Sequence, residues 1–207
     1  MEKRREAEIH FLMSAIGGYI GIYCIFERNG IFALAQTLNL IYVVTGIGNG
    51  NWKDVGIRLG GAGMASAAIV TSVFLLRYGE NRRKKFSIAI TAIAVFAEGF
   101  IPSAISPVIA LYPIFFAMTL QWCAFRVTYG YGSSTIFSTN NLRQCVEGYA
   151  QYFMGKNQKM LNKARFFRNA LVSYHIGAAV CFFVIDAVGG KGIWCCLLVL
   201  AVAWKKC

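Results

Sequence analysis

Two short polar turns interrupt otherwise apolar stretches, one in each half of the chain: Gln36-Thr37-Leu38-Asn39-Leu40 and Ser138-Thr139-Asn140-Asn141-Leu142. Aligning Asn39 with Asn141 also sets Gly30 against Gly132 and, after an insertion, Gly61-Ala62 against Gly177-Ala178. Amide and hydroxyl groups buried in apolar surroundings are costly unless hydrogen-bonded. A chain that carries them twice, in equivalent places, must fold so that both sets are satisfied. In lipid, irregular backbone at depth is tolerated only inside protein or along a water-filled cavity. Equivalent breaks in two halves of a membrane protein therefore point to one shared central site.

Composition makes lipid the expected surroundings. The chain is 57% hydrophobic and 14% charged, against about 25% charged in an average soluble domain. Its mean hydropathy is +0.53. The 207 residues accommodate about six spans of about 20 residues with short connections, and no large soluble domain. The net charge of +12 is gathered into four clusters: Lys3-Arg4-Arg5, Arg82-Arg83-Lys84-Lys85, Lys156 to Arg168, and Lys205-Lys206. Basic clusters separated by apolar spans mark cytoplasmic loops and anionic lipid headgroups rather than a nucleic-acid surface.

Enzyme signatures are missing from the sequence. The seven cysteines form no CxxC pair, and most lie in apolar runs (Cys24, Cys123, Cys181, Cys195, Cys196), so neither a disulfide frame nor a zinc site is expected. His10 and His175, the two histidines, are too few and too distant for a His-based metal centre. Gly60-Gly61-Ala62-Gly63 lacks the Lys-Ser/Thr of a phosphate loop. No catalytic residue, cofactor or metal is assigned, and the chain is not read as an enzyme. The first apolar run is read as a retained span rather than a cleaved signal, and the terminal Lys-Lys-Cys is not a prenylation box.

Spans are predicted at residues 9–26, 55–76, 87–105, 107–127, 170–188 and 193–204, with polar-broken segments at 31–48 and 133–153. If both broken segments dip in and return, six spans remain, and both termini and all four basic clusters fall on the cytoplasmic face. Three spans per half invert the second half, so the two Thr-x-Asn turns enter from opposite faces and meet near the midplane. The expected fold is an all-α integral membrane protein of about six transmembrane helices in two inverted halves, 1–106 and 107–207, each with a discontinuous or re-entrant segment. Eight spans with a parallel repeat is the alternative, because 31–48 is apolar enough to cross.

Leu111-Tyr-Pro-Ile-Phe-Phe-Ala-Met-Thr-Leu-Gln-Trp122, followed by Gly130-Tyr-Gly-Ser-Ser-Thr-Ile-Phe-Ser-Thr-Asn-Asn-Leu-Arg-Gln144, resembles the YoaK-type family of bacterial multi-pass membrane proteins, a family of unknown function. The resemblance covers essentially the whole chain and is specific from Tyr112 to Gln144. It implies an integral protein of the bacterial cytoplasmic membrane and supplies no substrate. Members of that family carry a Thr-Gly-Asn turn after the first span and a Gly-Tyr-x-Asp within it. Here the turn reads Thr37-Leu38-Asn39, and Gly18-Tyr19-Ile20-Gly21 has Gly in place of the acid.

Gln36, Thr37, Asn39, Thr139, Asn140 and Asn141 are the candidate solute-binding residues, with Gln121 of the fourth span beside them. Amides and hydroxyls both donate and accept, and so hold a polar solute without burying a charge. The same residues could equally satisfy backbone freed at two helix breaks. Glu98 and His175 are the candidates for proton coupling, since an ionisable group within a span is functional by default. For Glu98 the competing reading is a site near the outer headgroups. For His175 it is a packed helix residue. Arg58 reads as an anion-attracting group or an interface marker. The leading function is a small-solute transporter or permease; a membrane scaffold or accessory subunit without transport is the alternative. Expected partners are the bilayer, an unidentified small polar solute and a second copy of the chain, with the face from Gly56 to Gly63 as one dimer contact.

Overall fold

The structure, a computed structural model, describes residues 2–33 and 35–207; the side chains of Glu2 and Lys3 lie outside that description. In chain order the elements are α1 (Glu2–Glu27), α2 (Thr37–Gly48), α3 (Trp52–Leu76), α4 (Glu80–Glu98), a single turn α5 (Pro107–Ala110), α6 (Tyr112–Ala124), a small antiparallel hairpin β1 (Val127–Thr128) and β2 (Tyr131–Gly132), α7 (Thr139–Gly155), α8 (Gln158–Val188), a 3-10 turn (Gly189–Cys195) and α9 (Cys196–Lys206). The protein is all-α apart from that hairpin. Among the described residues, three stretches are long and apolar enough to cross a membrane: Arg4–Glu27, Trp52–Leu76 and the run Gln158–Lys206.

The last stretch is two helices joined by a reversal, with α8 packed on α1 and α9 packed on α1 and α4. Phe166 of α8 packs on His10 and Phe11 near the start of α1, and Phe182 packs on Phe26 near its end. Past Gly189, which takes a φ of +66° that favours glycine, the chain reverses. Trp194 then stacks on Phe96 and Phe100 at the end of α4. Lys206, at the end of α9, returns to Glu8 at 2.6 Å.

Ion pairs and ring contacts fix the remaining helix directions. Lys84 faces Glu6 at one end of the bundle and Arg28 meets Glu98 at the other, so α1 and α4 run the same way. The Tyr112 hydroxyl donates to the Ile57 carbonyl, and Trp122 and Cys123 share a cavity with Ser72. Hence α3 and α6 run together, and Arg83 beside Arg126 sets them opposite to α4. The directions are therefore α1, α4 and α8 one way, α3, α6 and α9 the other. All four basic clusters lie at the end of the bundle where α1 begins.

Helix α1 is the centre. Met13, Ile16, Ile20, Tyr23 and Cys24 are buried, and they share one core with Ile88 and Val95 of α4, Ile114, Phe115 and Met118 of α6, and Leu200 of α9. The outer faces of α3 and α8 carry Val70, Val73, Phe74, Ile176, Val180 and Phe183 exposed, as lipid-facing surfaces require. α1 and α8 approach closely because each presents a glycine to the other's backbone. A Cβ on Gly18 would collide with the Tyr174 carbonyl, and one on Gly177 with the Ala15 carbonyl.

The expected dimer face is partly used within the chain. Gly60 accommodates Tyr112 and Gly61 accommodates Phe115, whereas Gly56 and Gly63 face open space. Helix limits also differ from the apolar windows. α4 begins at Glu80 and stops at Glu98, not 105, and α8 begins at Gln158, well before 170. Helical backbone continues through the polar ends of a span, and after Glu98 the Pro102–Pro107 stretch prevents extension.

Candidate central cavity between two helix starts

Helices α2 and α7 lie in the two polar-broken segments, and in each segment the described residues among the first six, 31–36 and 133–138, are not helical. From Arg28 the chain turns at Asn29 and Gly30, both at positive φ, and buries Ala33 in the core before α2 begins. α2 then runs antiparallel to α3, with Asn39 by Arg58 and Gly46 on Val55. In the second half, the hairpin leads into Ser133–Ser138, whose Thr135 carbonyl lies against Gly17 in the middle of α1. α7 starts there and runs toward the basic end along α8, with Gly148 packed on Ala164.

Both helix starts open on one cavity of about 720 Å³, a half-open groove whose wall includes the exposed residues Thr37, Leu40, Ile69, Trp122, Thr139 and Arg143. Its polar wall comes from Gln36 and Thr37 of the first turn, Thr139, Asn140 and Arg143 of the second, and Thr119 of α6. Its apolar wall includes Ile69 of α3, and Trp122 and Phe137, which pack edge to face. Four of the seven residues predicted to hold solute (Gln36, Thr37, Thr139 and Asn140) are thus brought together from the two halves.

The other three turn into the protein. Asn39 is 3% exposed; its Nδ2 donates to Gln36 Oε1 at 3.2 Å, and its Oδ1 accepts from Arg58 at 3.2 Å. Arg58 is itself held by Asp54 and lies over the Tyr42 ring. Asn141, 2% exposed, is tied to the loop 133–138. It accepts from the Ser133 hydroxyl and the Ser134 amide, and donates to the Ser134 carbonyl at 2.7 Å. Gln121 donates to the Met13 carbonyl and to Thr135 Oγ1, pinning that loop to α1. These three position the two turns; none lines the cavity.

Neither proton-coupling candidate lies at the cavity. Glu98 is buried and accepts from Arg28 Nε at 2.7 Å, while other Arg28 nitrogens donate to the Ile101 and Pro102 carbonyls. It lies at the end of the bundle remote from the basic clusters, where α4 ends and the loop through Pro102 begins, and there it is buried against Arg28. His175 is exposed on the outer face of α8, with Nδ1 donating to the Leu171 carbonyl one turn back.

Sequence reading missed Arg143, Trp122 and Phe137 as cavity residues, although all three fall within the specific Tyr112–Gln144 stretch. It also missed His10. That ring is wholly buried, with Nε2 2.9 Å from Ser133 Oγ and Nδ1 3.2 Å from Thr128 Oγ1. Because the Ser133 hydroxyl already donates to Asn141, the neutral ring donates from Nε2 and accepts at Nδ1 from Thr128. Among the described residues, no three His, Cys, Asp or Glu side chains are grouped to hold a metal ion.

A family model described as protein of unknown function (DUF1275) matches residues 9–204. No curated protein and no solved structure matches the chain.

Proposed function

Starting from the premise that the chain belongs to the DUF1275 family, we propose that it is a small-solute transporter of the bacterial cytoplasmic membrane. The observation that carries this reading is the cavity shared by the two broken segments. Residues from opposite halves of the chain, Gln36 and Thr37 on one side and Thr139 and Asn140 on the other, line one space at the starts of two helices that begin inside the polar-broken segments. Discontinuous helices whose N-termini converge on a central cavity are the recurring substrate site of secondary transporters. A scaffold needs satisfied polar groups but has no use for such a cavity.

The finer architecture belongs to the same proposal. α1, α3, α4, α6, α8 and α9 are the six spans; the segments that hold α2 and α7 enter from opposite faces and return. The helix directions support an inverted repeat in which α1, α2, α3 and α4 correspond to α6, α7, α8 and α9, each pair pointing opposite ways. The basic end, with both termini, is cytoplasmic by the positive-inside tendency. A second copy packing on α3 would meet Gly56 and Gly63.

The test is uptake by the full chain reconstituted in vesicles, using a labelled panel of glycerol, lactate, inorganic phosphate and neutral amino acids. Asn140→Ala and Thr139→Ala are expected to lower uptake at least tenfold (about 1.4 kcal/mol,) with an unchanged melting temperature. Uptake no faster than in protein-free vesicles for every solute would remove the transporter reading in favour of the scaffold.

A further inference from the structure

A second cavity adjoins the first on the side toward the basic end. Ile69 and Trp122 line both, and the wall of the second, about 200 Å³ in volume, includes Arg83 and Arg126. No carboxylate lines either space, while three guanidinium groups do: Arg143 in the first, Arg83 and Arg126 in the second. Arg143 is held by Glu147 and Asn140. Arg83 and Arg126 make no ion pair among the described residues.

Two donors in these walls lack acceptors. Arg83 Nε and Gln36 Nε2 are buried atoms without a hydrogen-bond partner. Buried donors left unpaired are costly and rare in proteins, and these two are free to meet an acceptor, from water or from a solute, in the cavity walls. The helix starts add to this. α2 and α7 begin in the cavity wall without a side-chain cap, whereas Asn51 and Asn157 cap α3 and α8. First-turn N–H groups and the positive ends of two helix dipoles thus add to the fixed cations.

We infer that the two cavities form one path for a small oxyanion, a solute bearing a carboxylate or phosphate group. It is held first between the α2 and α7 starts with Arg143, then passed to Arg83 and Arg126. Passage along the path rests on the transporter reading above; the chemical class does not. A phospholipid headgroup offers the same phosphate chemistry from the bilayer side, and the test separates the two sources.

The full chain is purified in a neutral detergent and its melting is followed with lactate, with inorganic phosphate and with uncharged lactamide. The variants are Arg83→Gln with Arg126→Gln and, as control, Arg77→Gln, an exposed cation at the same end of the bundle outside both cavities. Lactate or phosphate is expected to stabilise the protein where lactamide does not. The apparent affinity falls about tenfold in the double variant and is kept in Arg77→Gln. Should the double variant lose monodispersity, Arg126→Gln alone, at an exposed side chain, carries the comparison. An equal response to lactamide, or an anion response that survives loss of both arginines, overturns the inference. Loss of the response when phosphatidylglycerol is added assigns the site to lipid phosphate and overturns the solute path. In vesicles, glycerol uptake without any anion response sinks this inference and leaves the transporter reading standing. Anion binding with no uptake of any solute does the reverse.

Discussion

Arg28 and Glu98 form a buried ion pair, their side chains 4% and 0% exposed. Desolvating both charges is expensive, so the pair is held by geometry more than it stabilises, and removing one partner strands the other. Glu98→Ala is expected to cost about 3–5 kcal/mol, read as a lower melting temperature in detergent. Replacing Arg28 with Met and Glu98 with Leu together should recover most of it. A pronounced loss in the double variant as well would assign the pair more than mutual neutralisation. Asn140 and Asn141 make a second contrast. Asn141→Ala removes the partner of the Ser134 amide and carbonyl, and buried backbone groups left unpaired cost about 1–3 kcal/mol. Asn140→Ala should change stability by no more than about 0.5 kcal/mol, because its contacts, to the Gly132 carbonyl and from Arg143, are both exposed. Equal melting of the two variants would contradict this division of roles. In the sequence the two asparagines are indistinguishable neighbours. Their roles separate only because successive helix positions point about 100° apart, which turns one to the cavity and the other to Ser133 and Ser134.

At the scale of elements, the α1–α8 contact depends on two glycines that no hydropathy window singles out. Gly177→Leu places a side chain where the Ala15 carbonyl already sits. Overpacking of this kind costs about 1–3 kcal/mol. Gly63→Ala, with nothing within 4 Å of the added carbon, should fall within about 0.5 kcal/mol of the parent protein. Thermal melts of the two variants side by side check the crossing; equal melting would mean that α8 does not pack on α1 through Gly177. The apolar runs that became α1, α3, α8 and α9 were legible because each sums many like residues. The run from residue 158 to 206 reads as two spans only through Gly189-Gly190, and its reversal is visible once Trp194 meets Phe96 and Lys206 meets Glu8. The length of α7 was harder to read: Thr139–Gly155 is too polar for a span, and it is stable only because α8 covers one side of it.

For the whole molecule, helix direction is the testable quantity. In a cysteine-free background with single cysteines at Asn29, Gly50, Asn81, Gly132 and Asn157, an external thiol reagent on intact cells should label Asn29 and Gly50 and spare the other three. Labelling at Asn29, Asn81 and Gly132 instead would mean eight crossings and contradict the ion pairs that set α1 and α4 parallel. The sequence by itself determined the membrane character, the places where two segments break and the four basic clusters, because hydropathy, turn chemistry and charge are local sums over neighbouring residues. Only the tertiary structure decided which residues of the broken segments face a common cavity, that Arg28 finds Glu98, and that Arg83 and Arg126 line a second cavity beside it. Those facts depend on the rotation of each helix about its axis and on the direction in which it crosses its neighbours. Helix–helix contact fixes both, and neither leaves a signature along the chain.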